Sequence, residues 1–203
     1  STRNRQAIGP AQAVINFGHQ RGWCPPIRVQ RFTTEKPKRK AIGLDYIDAL
    51  RPHCNPYLSA LVLALFQTGM RIGEALSLEP QNMDLQNRLA HLDRTKNGEP
   101  REVHLTTELV VALANLPPRG GRVFGYHSRS AVRMALTRAC KRAGVEYLGT
   151  HQAGRHSFAS ALSARGWHAQ DIADAGGWKS SQLVADTCVH PEGAGRRAAA
   201  ALS

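Results

Sequence analysis

The stretch Thr68-Gly69-Met70-Arg71-Ile72-Gly73-Glu74 ends an apolar segment that begins near Pro56, and the rest of the chain is organised around it. Residues 56–68 carry large apolar side chains over a wide helical face, which predicts a buried helix. Gly69 permits a turn directly after that helix. Arg71 follows the turn and Glu74 comes three residues later, so the sequence predicts a guanidinium beside a carboxylate on an apolar scaffold. An Arg-x-x-Glu pair alone is typical of an ordinary helix salt bridge.

The chain is strongly basic. Its 203 residues include 27 Lys and Arg against 15 Asp and Glu, a formal net charge of +12. Because protein cations that neutralise phosphates release counterions, this excess favours a nucleic-acid partner. The longest apolar run, Leu58 to Phe66, is too short to span a bilayer. The first residues do not resemble a signal peptide, and we expect a cytoplasmic protein with no membrane partner.

The cysteines Cys24, Cys54, Cys140 and Cys188 are scattered and include no C-x-x-C pair. Cys188 and His190 lie close in sequence, but the spacing is not that of a metal knuckle. We expect no metal, no cofactor and reduced thiols.

The sequence predicts two parts. Residues 1–40 are expected to form a helix to about Arg21, with a kink or later start at Pro10, followed by a basic linker. Residues 41–203 are expected to form a mainly α domain with one small antiparallel β-sheet. Its strands, 88–93 and 101–105, flank Thr95-Lys96-Asn97-Gly98, where Asn-Gly is a strong hairpin signal. The predicted helices of this domain cover residues 44–50, 56–68, 72–78, 107–116, 128–143, 155–165, 168–175, 180–188 and 195–202.

Two basic segments are candidates for contact with double-stranded DNA. The linker is either an ordinary solvated connection or a strap over a phosphate backbone. The helix after Ser128 places its arginines opposite an apolar face, which indicates either a basic solvent face or a helix laid on a DNA groove. The candidate contact residues are Arg28, Arg31, Lys36, Lys38, Arg39 and Lys40 in the linker and Arg129 and Arg133 in the helix.

Four stretches, taken in order, resemble the active-site boxes of the tyrosine recombinases (phage integrases). They are 68–74, 95–98, 151–156 and Gly176-Gly177-Trp178. The resemblance covers nearly all of the chain from about Ala41 and implies an integrase-like catalytic domain. Residues 1–40 would then be the last helix of a truncated core-binding domain with its linker. The resemblance also implies a bacterial or phage-encoded protein that assembles as a tetramer on DNA. Such proteins cleave and rejoin strands site-specifically, through a covalent 3′-phosphoprotein link.

Metal-independent cleavage of a phosphodiester needs cations on the nonbridging oxygens, a proton for the leaving 5′ oxygen and an in-line nucleophile. Arg71 and Arg155 match the two family arginines that clamp the phosphate, a task that suits the planar guanidinium. Glu74 would orient Arg71. Lys96, at the hairpin tip, matches the family lysine that protonates the leaving oxygen.

The histidine box departs from the family pattern. His151 would accept or share the proton of the nucleophile, and Trp178 would donate its indole N–H to the phosphate. The family usually reads His-x-x-Arg, whereas one more residue separates His151 from Arg155 here. Either Gly154 absorbs the extra residue in a bulge before the helix, or Gln152 takes the usual register.

The nucleophile position is the second departure, because Cys188 stands where the family carries its tyrosine. A thiol near two arginines would have a lowered pKa. Its sulfur would still fall short of a phenolic oxygen, and a misplacement of about 1 Å can cost roughly a hundredfold in rate. We therefore predict that the chain binds DNA and is cleavage-deficient, Cys188 being natural or an introduced substitution. The alternative is a non-catalytic DNA-binding or architectural protein with the recombinase fold.

Overall fold

The computed structural model describes residues 2–33, 42–93, 99–117, 121–188 and 199, with only the backbone at 187 and 188. The chain divides into two compact units, residues 1–39 and 40–203. Lys36, Lys38, Arg39, Lys40 and Lys96 lie outside the described residues, as does the predicted helix 195–202 apart from residue 199.

The first unit contains one α-helix and an extended segment. Thr2 and Arg3 are helical, and a π-helical turn, Asn4–Ile8, leads into α1, Gly9–Gln20, so the chain is helical from residue 2 to Gln20, close to the predicted span. Pro10 occupies the first turn of α1, where a missing N–H is tolerated. The Gln12 side chain bonds the backbone of Ile27 and Val29 at 2.8 Å each. These bonds hold the extended segment alongside the helix.

The second unit is built around one buried helix. A short helix α2, Leu44–Leu50, and a 3₁₀ turn, Arg51–His53, precede α3, Pro56–Thr68. The Asn55 side chain caps α3 by accepting from the Leu58 N–H at 2.9 Å. Nine of the thirteen residues of α3 are buried, which agrees with its apolar composition. After Gly69 the chain enters α4, Ile72–Ser77.

A small antiparallel sheet packs beside these helices. Its strands are β1 (Met83–Asp84), β2 (Leu89–Leu92) and β3 (Arg101–His104), in spatial order β1-β2-β3. Strands β2 and β3 pair in the register Leu92↔Arg101. The two predicted strands are therefore present, while the two-residue strand β1 was not predicted.

The remaining helices complete the domain and confirm a mainly α architecture with one small antiparallel sheet. They are α5 (Thr107–Ala114), α6 (Arg129–Ala143), α7 (Gly149–His151), α8 (Ser157–Ala164), α9 (Ala169–Gly176) and α10 (Ser181–Cys188). Ser128 caps α6, as predicted, by accepting from the Ala131 N–H at 3.1 Å. Gly144 ends it in the left-handed conformation, with φ 66°. Within the described residues, no helix has the length and apolar character needed to cross a membrane.

Candidate active site

The turn after α3 places Arg71 at the candidate site, and this turn requires a glycine at position 69. Gly69 has φ 63°, and a Cβ there would lie 2.6 Å from Cδ1 of the Phe158 ring. Both the backbone conformation and the close approach of α8 therefore exclude a larger residue. Arg71 follows at the start of α4.

Arg71 and Glu74 form the expected pair, in a more buried setting than a surface salt bridge. Nη1 of Arg71 lies 2.6 Å from Oε1 of Glu74, and the Arg71 backbone N–H donates to Oε2 at 2.9 Å. The Glu74 side chain is only 3% exposed, against 22% for Arg71. Burial by itself would raise the pKa of the Glu74 carboxyl. Hydrogen bonds from Arg71 and the charges of Arg101 and Arg71 outweigh that effect and lower the pKa.

Arg155 meets Arg71 at the carboxyl end of α9. Nη2 of Arg155 donates to the Gly177 carbonyl at 2.9 Å, and Nη2 of Arg71 donates to the same oxygen at 3.2 Å. Nη1 of Arg155 also bonds the carbonyls of Gly69, at 2.9 Å, and Gly176, at 2.5 Å. Cations are favourable at a helix carboxyl end, where carbonyls lack partners within the helix. Two guanidinium groups 84 positions apart in sequence are thus held at one point.

Trp178 forms one wall beside these cations. Cζ of Arg155 lies 3.6 Å from the centroid of the Trp178 ring, a cation–π arrangement. The ring stacks on Phe158 with centroids 6.4 Å apart and an interplanar angle of 11°. A Cβ at Gly176 would lie 1.8 Å from Cζ3 of the indole, so the paired glycines let the ring lie on the backbone. Arg71 and Trp178 border a cavity of about 150 Å³.

The extra residue between His151 and Arg155 is accommodated in a π-helical turn, Gln152–His156, which joins α7 to α8. A single π turn is the usual way for a helix to hold one additional residue. The prediction that the helix starts at Arg155 is wrong, because it begins at Gly149 and the bulge lies inside it. A Cβ on Gly154 would lie 2.8 Å from the Cβ of Leu65, so this glycine brings the turn against α3.

His151 is exposed, and its ring meets the buried His156 edge to face with centroids 4.6 Å apart.

Arg101 is a site residue that the sequence reasoning missed. It is the first residue of β3, and Nη2 lies 3.2 Å from Oε2 of Glu74. Nη1 donates to the carbonyl of Ala175 at 3.2 Å. The sequence signal was weak, since an arginine five positions after Lys96 also fits an ordinary strand.

The remaining predicted residues lie in different places. Arg28 and Arg31 are exposed in the first unit. Arg129 and Arg133 are exposed on α6, and a Cβ on Gly73 would lie 2.8 Å from Nη2 of Arg129, which places that guanidinium against α4.

Cys188 is the last residue of α10, which packs on α8 and α9. The buried Val184 of α10 joins a small apolar cluster against which Trp178 packs. The helix that ends at Cys188, the residue predicted to hold the nucleophile position, is thereby anchored beside the tryptophan. No group of three or more metal-ligating side chains occurs in the described parts of the chain.

Comparison with known proteins identifies the family. Residues 44–192 match the phage integrase family, and the chain belongs to it. Over 132 residues it is 32% identical to a putative integrase/recombinase of Haemophilus influenzae, a match that covers 64% of this chain and 43% of that protein. A shufflon-specific DNA recombinase of Escherichia coli is 30% identical over 119 residues, covering 58% of this chain and 31% of the relative. The match thus spans less than half of each relative.

Solved structures support the same fold at lower identity. The integrase of the transposon Tn1549, bound to transposon right-end DNA, matches with a TM-score of 0.72 at 14% identity, over 95% of this chain and 77% of that one. The XerA recombinase matches with a TM-score of 0.64 at 22% identity, over 77% of this chain and 63% of that one. The integrase of mycobacterium phage Brujita matches with a TM-score of 0.62 at 22% identity, over 98% of this chain and 70% of that one. The expected tyrosine-recombinase fold is confirmed.

Proposed function

We propose that residues 41–203 are the catalytic domain of a site-specific DNA recombinase that binds one backbone phosphate between Arg71 and Arg155. The observation that carries this proposal is the shared bond of both guanidinium groups to the Gly177 carbonyl, at 3.2 and 2.9 Å. Two like charges held this close need anionic partners, and Glu74 is the nearest one found among the described residues. A phosphodiester would supply the second negative charge, and the guanidinium fork fits its two nonbridging oxygens.

Double-stranded DNA is the proposed partner. The formal charge of +12 favours it, and α6 contains five Lys and Arg residues and no acidic one. The lambda integrase bound to a core site and the XerH recombinase bound to its difH substrate share the fold, with TM-scores of 0.68 and 0.58. The linker residues and the exposed arginines of α6 are the proposed backbone contacts. Assembly into a tetramer on DNA is part of the same proposal.

The proposed chemistry uses no metal. Lys96 would protonate the leaving 5′ oxygen, while His151 would accept or share the proton of the nucleophile. Trp178 lies beside Arg155 and borders the cavity. This location suits an indole N–H that donates a hydrogen bond to the phosphate. The π-helical turn keeps His151 and Arg155 on one continuous helix despite the extra residue.

Cys188 holds the proposed nucleophile position and makes this chain cleavage-deficient. A tyrosine at the end of α10 would reach further than the thiol, and in-line attack tolerates little misplacement. The position is supported by the packing of α10 against the cluster that includes Trp178.

The test is Cys188→Tyr, with nicked suicide duplexes carrying randomised sequence. A covalent protein–DNA adduct on a denaturing gel is expected for Cys188→Tyr. Cys188→Phe is the matched control, since it has the same ring without the hydroxyl and should form none. Arg71→Ala in the Cys188→Tyr background should also abolish the adduct. Absence of the adduct from Cys188→Tyr, with DNA binding intact, would remove residue 188 as the nucleophile position and favour the second candidate, a non-catalytic DNA-binding protein.

A further inference from the structure

Arg101 shares the Glu74 carboxylate with Arg71. Oε1 of Glu74 pairs with Nη1 of Arg71 at 2.6 Å, whereas Oε2 lies 3.2 Å from Nη2 of Arg101. One negative charge that is 3% exposed therefore serves two guanidinium groups. Because Glu74 pairs with both arginines, its attraction for each guanidinium is weaker than it would be for one alone.

The other nitrogens of Arg101 face protein. Nη1 donates to the Ala175 carbonyl at 3.2 Å. Nε is buried and has no hydrogen-bond partner among the described residues. It lies against Gly177, where a Cβ would come within 2.6 Å of it. The side chain is 16% exposed, less than the 22% of Arg71. Both arginines border the cavity of about 150 Å³, and Arg71 is the more exposed of the two.

We propose that Arg101 is a positioning residue for the phosphate site, which takes up part of the Glu74 charge and so leaves Arg71 available to the DNA phosphate. With Arg101 absent, the whole charge of Glu74 acts on Arg71 and holds its guanidinium on the carboxylate instead of the phosphate. The effect is strong because interactions among buried charges are little screened. Arg101 also ties β3, the strand after the Lys96 segment, to the carboxyl end of α9. This inference rests on the proposed phosphate site between Arg71 and Arg155.

The experiment measures binding of inorganic phosphate to the ¹⁵N-labelled chain, followed by the Nε–Hε signal of Arg71 and, in every variant including Arg71→Ala, by the indole N–H signal of Trp178, which borders the same cavity. Arg101→Met should weaken phosphate binding about tenfold. This is the typical value of one charge-assisted hydrogen bond, here the bond that Arg71 would make to Glu74 instead of the phosphate. Arg101→Lys restores the charge with fewer donors and should recover part of the affinity. The matched control is Arg122→Met, because Arg122 also bonds a carboxylate (Glu79, 3.0 Å) and a carbonyl (Ser77, 2.7 Å) but lies outside the site.

A second background separates positioning from a merely structural role. When Glu74→Gln removes the charge that Arg101 offsets, Arg101→Met should lose most of its effect on phosphate binding. An equal loss in both backgrounds would make Arg101 a direct ligand and overturn the positioning role. The urea midpoint of each variant shows whether it folds. If Arg101→Met does not fold, Arg101→Lys is compared between the wild-type and Glu74→Gln backgrounds instead.

The two proposals fail differently. If Arg71→Ala weakens phosphate binding but Arg101→Met and Arg101→Lys do not, the role of Arg101 is refuted and the phosphate site stands. If phosphate does not bind, or binds equally well to Arg71→Ala, the phosphate site fails and the role of Arg101 fails with it.

Discussion

Gly177→Ala tests whether the arginine cluster depends on a side-chain-free turn after α9. Gly177 has φ 66°, a left-handed conformation that costs a residue with a Cβ about 1–2 kcal/mol. The new Cβ would lie 2.6 Å from Nε, 2.9 Å from Cζ and 3.0 Å from Cδ of Arg101. The guanidinium must then move and lose its bonds to Glu74 and Ala175, a further loss of about 1.5–3 kcal/mol. We expect Gly177→Ala to lower the free energy of unfolding by about 2.5–5 kcal/mol in total.

Gly144→Ala is the matched control for this prediction. Gly144 also ends a helix with φ 66°, but a methyl group added there would meet open space, with no described atom beyond its own helix and chain neighbours within 4 Å. Gly144→Ala should therefore lower the free energy of unfolding by the backbone strain alone, about 1–2 kcal/mol. Urea unfolding followed by circular dichroism measures both, and each kcal/mol corresponds to roughly 2–4 °C in Tm for a chain of this size.

The excess of Gly177→Ala over Gly144→Ala should disappear when Arg101 is replaced by alanine, because the displaced group is gone. Equal losses in the two glycine variants of the otherwise unchanged chain would refute the reasoning, since Arg101 would then not be fixed by the turn.

Three other predictions concern Gly154, Glu74 and Arg133. Gly154→Ala should destabilise the chain by about 1–3 kcal/mol in urea unfolding, because the new methyl group would lie 2.8 Å from the Cβ of Leu65, an atom fixed to the α3 backbone; unchanged stability would show that the π turn can move. Since the folded state lowers the pKa of Glu74 below the unfolded value of about 4.3, its contribution to stability is present above that pH and is lost as the pH falls through the folded pKa. The urea midpoint should therefore fall more steeply on acidification in the wild type than in Glu74→Gln, and parallel curves would contradict this. Arg133→Ala should reduce the slope of log Kd against log salt for duplex DNA by about 1, whereas Arg122→Ala, in a residue paired with Glu79, should leave it unchanged.

Local sequence signals predicted most of the helices because their determinants lie within a few residues of each end. Asn55 and Ser128 cap α3 and α6, and Gly69 and Gly144 end them with positive φ. These are short-range effects of hydrogen bonding and steric freedom. Strand β1 was not predicted because two residues are too few to show an alternation of apolar and polar side chains. Only its pairing with β2 defines it.

The histidine box shows where spacing alone was insufficient. The sequence showed one extra residue before Arg155 but left open where it goes. The structure places it in a π turn inside a helix that begins at Gly149, because Gly154 must fit closely against Leu65 of α3. That contact joins residues 89 positions apart, which no local pattern reports.

The sequence by itself determined the family boxes, the helical architecture and the basic charge, since each depends on residue type and order. Tertiary structure alone decided that Arg71 and Arg155 meet at the Gly177 carbonyl and that Arg101 joins them through Glu74. Arg101 is 27 positions from Glu74 and is brought to it by the pairing of β3 with β2. Charge sharing in a buried site depends on distances of about 3 Å, and only the folded chain fixes such distances.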